Sequence, residues 1–124
     1  MFSDKIEGIE KLKAVIPEDM QHWYLFGRHL SELHFRSDYD KYGDEIRCID
    51  MLFTDSEERY RIKLCLYNVV GQIGFDVVNG FFSGLEIEYV WDWGYEKGRN
   101  FHIYSAEQDI EIGMYCERIT AEIL

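Results

Sequence analysis

From Met20 onward, apolar and polar residues alternate in short runs, each closed by a polar or glycine-bearing turn. The clearest run is Tyr60–Tyr67, where Ile62, Leu64 and Leu66 fall on one parity and Arg61 and Lys63 on the other. A period of two places successive side chains on opposite faces, the pattern of a strand with one face against a core. Leu33 and Phe35 alternate with His34 and Arg36, and Ile49, Met51 and Phe53 form the next set. Ile73, Phe75 and Val77 run to the turn dipeptide Asn79-Gly80. Leu85, Ile87, Tyr89 and Trp91 share one parity against Glu86, Glu88 and Asp92, and Phe101 and Ile103 follow. Ile110, Ile112 and Met114 then lead through Cys116 towards Ile119 and Ile123.

Polar turns at 38–44, 55–58, 96–100 and 105–108 separate these runs. The rhythm predicts about seven strands at roughly ten-residue spacing. No helical segment lies between strands to make a parallel crossover, so the sheet is antiparallel. Residues 1–19 read differently. Ser3, as a capping residue, precedes Ile6, Ile9 and Leu12 at helical spacing, with Asp4 and Glu7 in the first turn, and Pro17 closes the element. His22–Gly27 is a short apolar patch ending at glycine. The predicted architecture is mostly β (α+β): an antiparallel meander curled into a sandwich or partial barrel, with a short N-terminal helix. It is one domain over 1–124, with 1–19 as helix or arm and 20–124 as the β domain.

Charge narrows the functional classes. The 24 acidic and 13 basic side chains give a net charge of −11. Such a chain repels phosphate backbones, which argues against direct nucleic-acid binding, whereas a basic protein would be attracted. The excess is uneven: residues 85–124 hold nine acidic and three basic side chains. Cys48, Cys65 and Cys116 are widely spaced in strand-like segments, without a metal-binding cluster, which suits reduced thiols in a cytoplasmic protein. The N-terminal residues lack the apolar core of a signal peptide, and no run reaches membrane-spanning length.

The richest chemistry lies in Gly84–Glu96, GLEIEYVWDWGYE, which interleaves four carboxylates with four large aromatics. Glu86 and Glu88, two apart on one strand, emerge on one face roughly 6.5–7 Å apart. That separation is compatible with a hydrolytic acid–base pair, but the same alternation describes any half-exposed strand. His22, His29, His34 and His102 show no zinc-hydrolase spacing. Ser83 lacks the glycine of a nucleophile elbow, and Gly71-Gln72-Ile73-Gly74 lacks the lysine and helix of a phosphate loop. No cofactor or metal motif is present. Trp91 reads as core, while Gly94 marks a bend that brings Trp93 or Tyr95 to a rim, where amphipathic aromatics suit an interface.

The sequence also resembles a known group. The run Gly71-Gln72-Ile73-Gly74-Phe75, the strand Ser83-Gly84-Leu85-Glu86-Ile87 and the closing Met114-Tyr115-Cys116-Glu117-Arg118-Ile119 resemble small β-rich immunity proteins of bacterial polymorphic-toxin systems, the group catalogued as immunity protein 50. The resemblance covers roughly residues 45–120 and implies an antitoxin-like role: binding a cognate toxin and blocking its active site. It offers no catalytic residue. The expected function is a non-catalytic immunity protein. Glu86, Glu88, Asp92 and Glu96, with Trp93 or Tyr95 as aromatic anchor, would grip a basic toxin. Two other classes stay open: a small-ligand or glycan-binding β-barrel lined by Tyr89, Trp91, Trp93 and Tyr104, and a hydrolase using Glu86 and Glu88.

Overall fold

A computed structural model describes residues 2–26, 29–55, 57–74, 85–91, 98–105 and 111–124. Among them are eight strands in two antiparallel four-stranded sheets. The first sheet contains β1 (His29–Tyr39), β2 (Glu45–Thr54), β3 (Arg61–Tyr67) and β8 (Arg118–Ile123), in the order β1-β2-β3-β8. The second contains β4 (Val70–Ile73), β5 (Leu85–Tyr89), β6 (Phe101–Ser105) and β7 (Ile112–Cys116), in the order β4-β7-β6-β5. Their inner faces share one apolar core, so the open sandwich of the two predicted forms is the one adopted, not a closed barrel.

The alternation is expressed as expected where one face meets the core. Met51 and Phe53 on β2, Ile62, Leu64 and Leu66 on β3, and Leu85, Ile103 and Met114 on the second sheet are all buried. Turn chemistry sets the hairpins. Asp40 Oδ1 accepts the N–H groups of Tyr42 and Asp44, both at 2.9 Å, closing the β1–β2 turn. Asp55, only 1% exposed, accepts Tyr60 N–H at 3.0 Å and Arg59 Nε at 3.0 Å across the β2–β3 turn. Burial opposes its ionisation, but those donors outweigh the penalty and hold the carboxyl below its ordinary range.

The N-terminal region departs from expectation. The helix α1 runs Ile9–Val15, and Ser3 does not cap it. The reason is competition from the sheet. Glu7 N–H donates to Ile119 C=O at 3.0 Å and Glu7 C=O accepts Ala121 N–H at 2.8 Å, a parallel bridge along the edge of β8. Gly8, at φ 84°, then turns the chain into the helix; a Cβ there would lie 2.4 Å from Ala121 O. Pro17 follows α1 as expected, and Gln21 Nε2 donates to the carbonyls of Lys13 and Ile16 at the helix end. Trp23–Phe26, which continued no alternation, forms a single helical turn, α2. Among the described residues no helix is long and apolar enough to cross a membrane.

The eighth strand arises because the last apolar run breaks at Glu117. Chain segments β3–β4 and β7–β8 are two bent ribbons that pass from one sheet to the other side by side. Tyr67 pairs with Arg118 in the first sheet and Val70 with Tyr115 in the second. At the corner, Asn68 adopts φ 58°, Glu117 N–H donates to Tyr67 C=O at 3.0 Å, and Asn100 Nδ2 donates to Glu117 C=O at 2.9 Å. Just beyond it Gly71 takes φ 119°, and a Cβ would fall 2.2 Å from Gly113 O. Gly71→Ala is therefore expected to cost about 2 kcal/mol or more by steric strain. Gly113→Ala, with open space at its Cβ, is expected to shift stability by about 0.5 kcal/mol or less. Urea unfolding of the two variants checks the contrast.

Candidate functional site

The outer face of the second sheet is built by register. Glu86 pairs with Tyr104, and Glu88 with His102. His102 in turn pairs with Tyr115 on β7, and Tyr115 with Val70 on β4. Since Leu85, Ile87, Phe101, Ile103, Met114 and Cys116 fill the inner face, the alternating residues are forced outward. Glu86 and Glu88, the two predicted site residues on β5, stand together on this half-buried outer face as expected. Asp92, Trp93, Tyr95 and Glu96 lie outside the described residues.

Two contacts organise the face. Tyr104 Oη donates to Glu88 Oε1 at 2.8 Å, a diagonal cross-strand bond. His102 stacks on Tyr104 at 4.7 Å between centroids and on Tyr115 at 4.5 Å, the latter within 9° of parallel. Arg99 lies over the Tyr115 ring at 5.7 Å. These stacks cover ring faces of His102, Tyr104 and Tyr115 that a ligand would otherwise meet, and the Tyr104 hydroxyl is engaged by Glu88. A sugar platform needs exposed ring faces; a protein surface accepts edges and polar tips. Tyr89 lies on the inner face with Phe101, 5.3 Å between centroids, and Tyr104 on the outer face, so these two do not line a common cavity.

Electrostatics separate this sheet from the first. Its four strands contain Glu86 and Glu88 and no lysine or arginine. The strands of the first sheet carry five basic residues, Arg36, Arg47, Arg61, Lys63 and Arg118, against five acidic ones. There charges are paired: Arg36 Nε donates to Asp50 at 2.7 Å and Nη1 to Asp38 at 3.1 Å. Burial lowers the His102 pKa, with the Glu88 charge pulling the other way. The hydrogen bond to Glu88, with burial and the charges of Glu88 and Glu86 adding, pushes Tyr104 up to about 12.

Trp91 is a correction. It was expected in the core, yet it is 54% exposed. The strand proper ends at Tyr89; Val90, which donates to Asn100 C=O at 2.7 Å, takes the fully buried position instead, and the parity breaks there. The residues that sequence reasoning did not assign to the site are His102, Tyr104 and Tyr115 acting as a group. Alternation placed His102 outward, but only strand pairing shows that it meets Glu88. The three cysteines are free, and burial raises the thiol pKa of Cys65 and of Cys116, so neither is an activated nucleophile. Among the described residues no three His, Cys, Asp or Glu side chains gather closely enough to hold a metal.

The Tyr104–Glu88 bond has a pH signature. A folded-state pKa raised from the ordinary 10 to about 12 means that the bond stabilises the fold fully below about pH 10 and loses that effect as pH rises through about 12. Titration of the tyrosine ring signals by NMR is expected to show Tyr104 ionising late, and Glu88→Gln is expected to bring it back towards 10. An unchanged Tyr104 titration in that variant would remove the bond from the account. No family model matches the chain, and neither a curated protein nor a solved structure does.

Proposed function

We propose that this chain is a non-catalytic immunity protein of the cytoplasm that neutralises a basic toxin by binding it on the outer face of the second sheet. The observation that carries the reading is the charge partition between the two sheets. The first balances its acidic and basic residues, while the second presents Glu86 and Glu88 without a lysine or arginine on its strands. An acidic face beside interlocked aromatic side chains has the make-up of a recognition surface: carboxylates steer a cationic partner, and rigid rings give contact area at little entropic cost. Glu88 is already held by Tyr104, so its charge is positioned before the partner arrives.

The proposal rests on surface chemistry. Asp92, Trp93, Tyr95 and Glu96 follow β5 in the sequence and lie outside the described residues, so the face is argued from Glu86 and Glu88. Blocking the toxin's active site is the mode of action that the resemblance implies.

The test is binding to the product of the neighbouring gene, measured by calorimetry over a series of salt concentrations. Affinity is expected to fall as salt rises. Glu86→Lys with Glu88→Lys is expected to weaken binding by about tenfold or more and to flatten the salt dependence. Glu122→Lys, on β8 of the other sheet, serves as the control and should leave both unchanged. Tight binding that ignores the double charge reversal would assign recognition to another surface.

A further inference from the structure

β1 is the longest strand, with 11 residues, and among the described residues it pairs with β2 alone. Its other edge therefore presents a row of backbone donors and acceptors without strand partners. Large side chains along it also stand in solvent: Phe35 is 66% and Tyr39 69% exposed. Phe35 borders a groove of about 210 Å³ between the two sheets, floored by Ile49 and Met114. Such an edge is normally blunted by charge. Here the charges are arranged so that a copy of the same strand complements them.

We propose that β1 pairs with β1 of a second copy, antiparallel, about a two-fold axis through His34. His34 is the midpoint of His29–Tyr39, so this register matches the strand end to end, His29 against the partner's Tyr39. Glu32 then faces the partner's Arg36, and Leu33 faces the partner's Phe35; the two-fold repeats both pairs. The first pair lies on the outer face and the second on the inner face, so alternation is preserved across the junction.

Neighbouring registers lack this match. An axis through Phe35 sets Glu32 against Asp38 and His34 against Arg36. An axis through Leu33 sets Arg36 against Leu30 and Phe35 against Ser31. Glu32 and Arg36 differ in their present engagement. Glu32 is exposed and has no ion-pair partner among the described residues. Arg36 commits its Nε to Asp50 and Nη1 to Asp38 and lies over the Tyr67 ring at 5.5 Å, so pairing requires its guanidinium to swing back towards the free edge, with donors left for the partner's carboxylate. The bulge between Leu30 and Glu32 bends one end of the strand, so the pairing is firmest over Glu32–Arg36. The junction uses the first sheet and leaves the outer face of the second free. It is independent of the toxin-binding proposal.

Sedimentation of the full chain over a concentration range of about 1 to 100 µM tests the pairing. A reversible dimer is expected. Glu32→Arg, which sets arginine against the partner's Arg36, is expected to raise its dissociation constant about tenfold or more with the thermal melt unchanged. Under mild oxidation His34→Cys is expected to form a disulfide-linked dimer that neither Glu32→Cys nor the native chain with its own cysteines forms, because position 34 alone meets itself. A monomer throughout the range, or a dimer indifferent to Glu32→Arg, overturns the proposal.

Discussion

The fold depends on one corner. Two chain segments, β3–β4 and β7–β8, change sheets together, and the change is possible because Asn68 takes a left-handed conformation while Glu117 N–H stays bonded to Tyr67 C=O. Val69 N–H donates to Arg47 C=O at 2.9 Å and Asn100 N–H to Cys116 C=O at 2.9 Å, so neighbouring strands of both sheets are tied to the same corner. Backbone N–H and C=O groups are strong donors and acceptors that seek partners. Here the partners come from both sheets, which fixes how one lies over the other. Gly71 follows because the second ribbon passes too close for a side chain.

That constraint determines the outer face of the second sheet, the surface proposed for binding. Once β7 lies between β4 and β6, the inward positions Met114 and Cys116 fix Tyr115 as outward, and Tyr115 meets His102 across the ladder. The contact between Tyr104 and Glu88 is set the same way. A surface made by register rather than by loops is rigid before any partner binds, so little ordering entropy is lost on association. The acidic character comes from the strands themselves, which carry Glu86 and Glu88 and no lysine or arginine, while Arg99, from outside the strands, lies over Tyr115.

Much of this was legible in the sequence, and the failures have physical causes. β3, β5 and β6 each have one face on the core, which enforces a period of two, so their faces could be assigned before their partners were known; β2 buries Cys48 and Leu52 on its other face as well. The order of strands could not be assigned, because alternation carries no information about which strand lies alongside. That is why Glu86 and Glu88 could be placed together on one outward face, while their contacts with His102 and Tyr104 could not. Ser3 looked like a helix cap because its pattern is local; the bridge between Glu7 and β8 that displaced it spans more than a hundred residues of sequence. Trp91 was misplaced for a related reason: strict parity was carried one step beyond the end of the strand, where Val90 turns inward. Phe35 kept the inward parity that the sequence suggested, yet it stands exposed at the rim of the groove that it shares with Ile49 and Met114.

The central claim is that the stacked rings and carboxylates of the second sheet form the binding face. The most direct test is to follow ring-proton NMR signals while a basic partner is titrated in. The signals of His102, Tyr104 and Tyr115 should move together with saturation, while those of His34 and Tyr67 on the first sheet stay in place. Movement at His34 and Tyr67, with the three stacked rings undisturbed, would contradict the account.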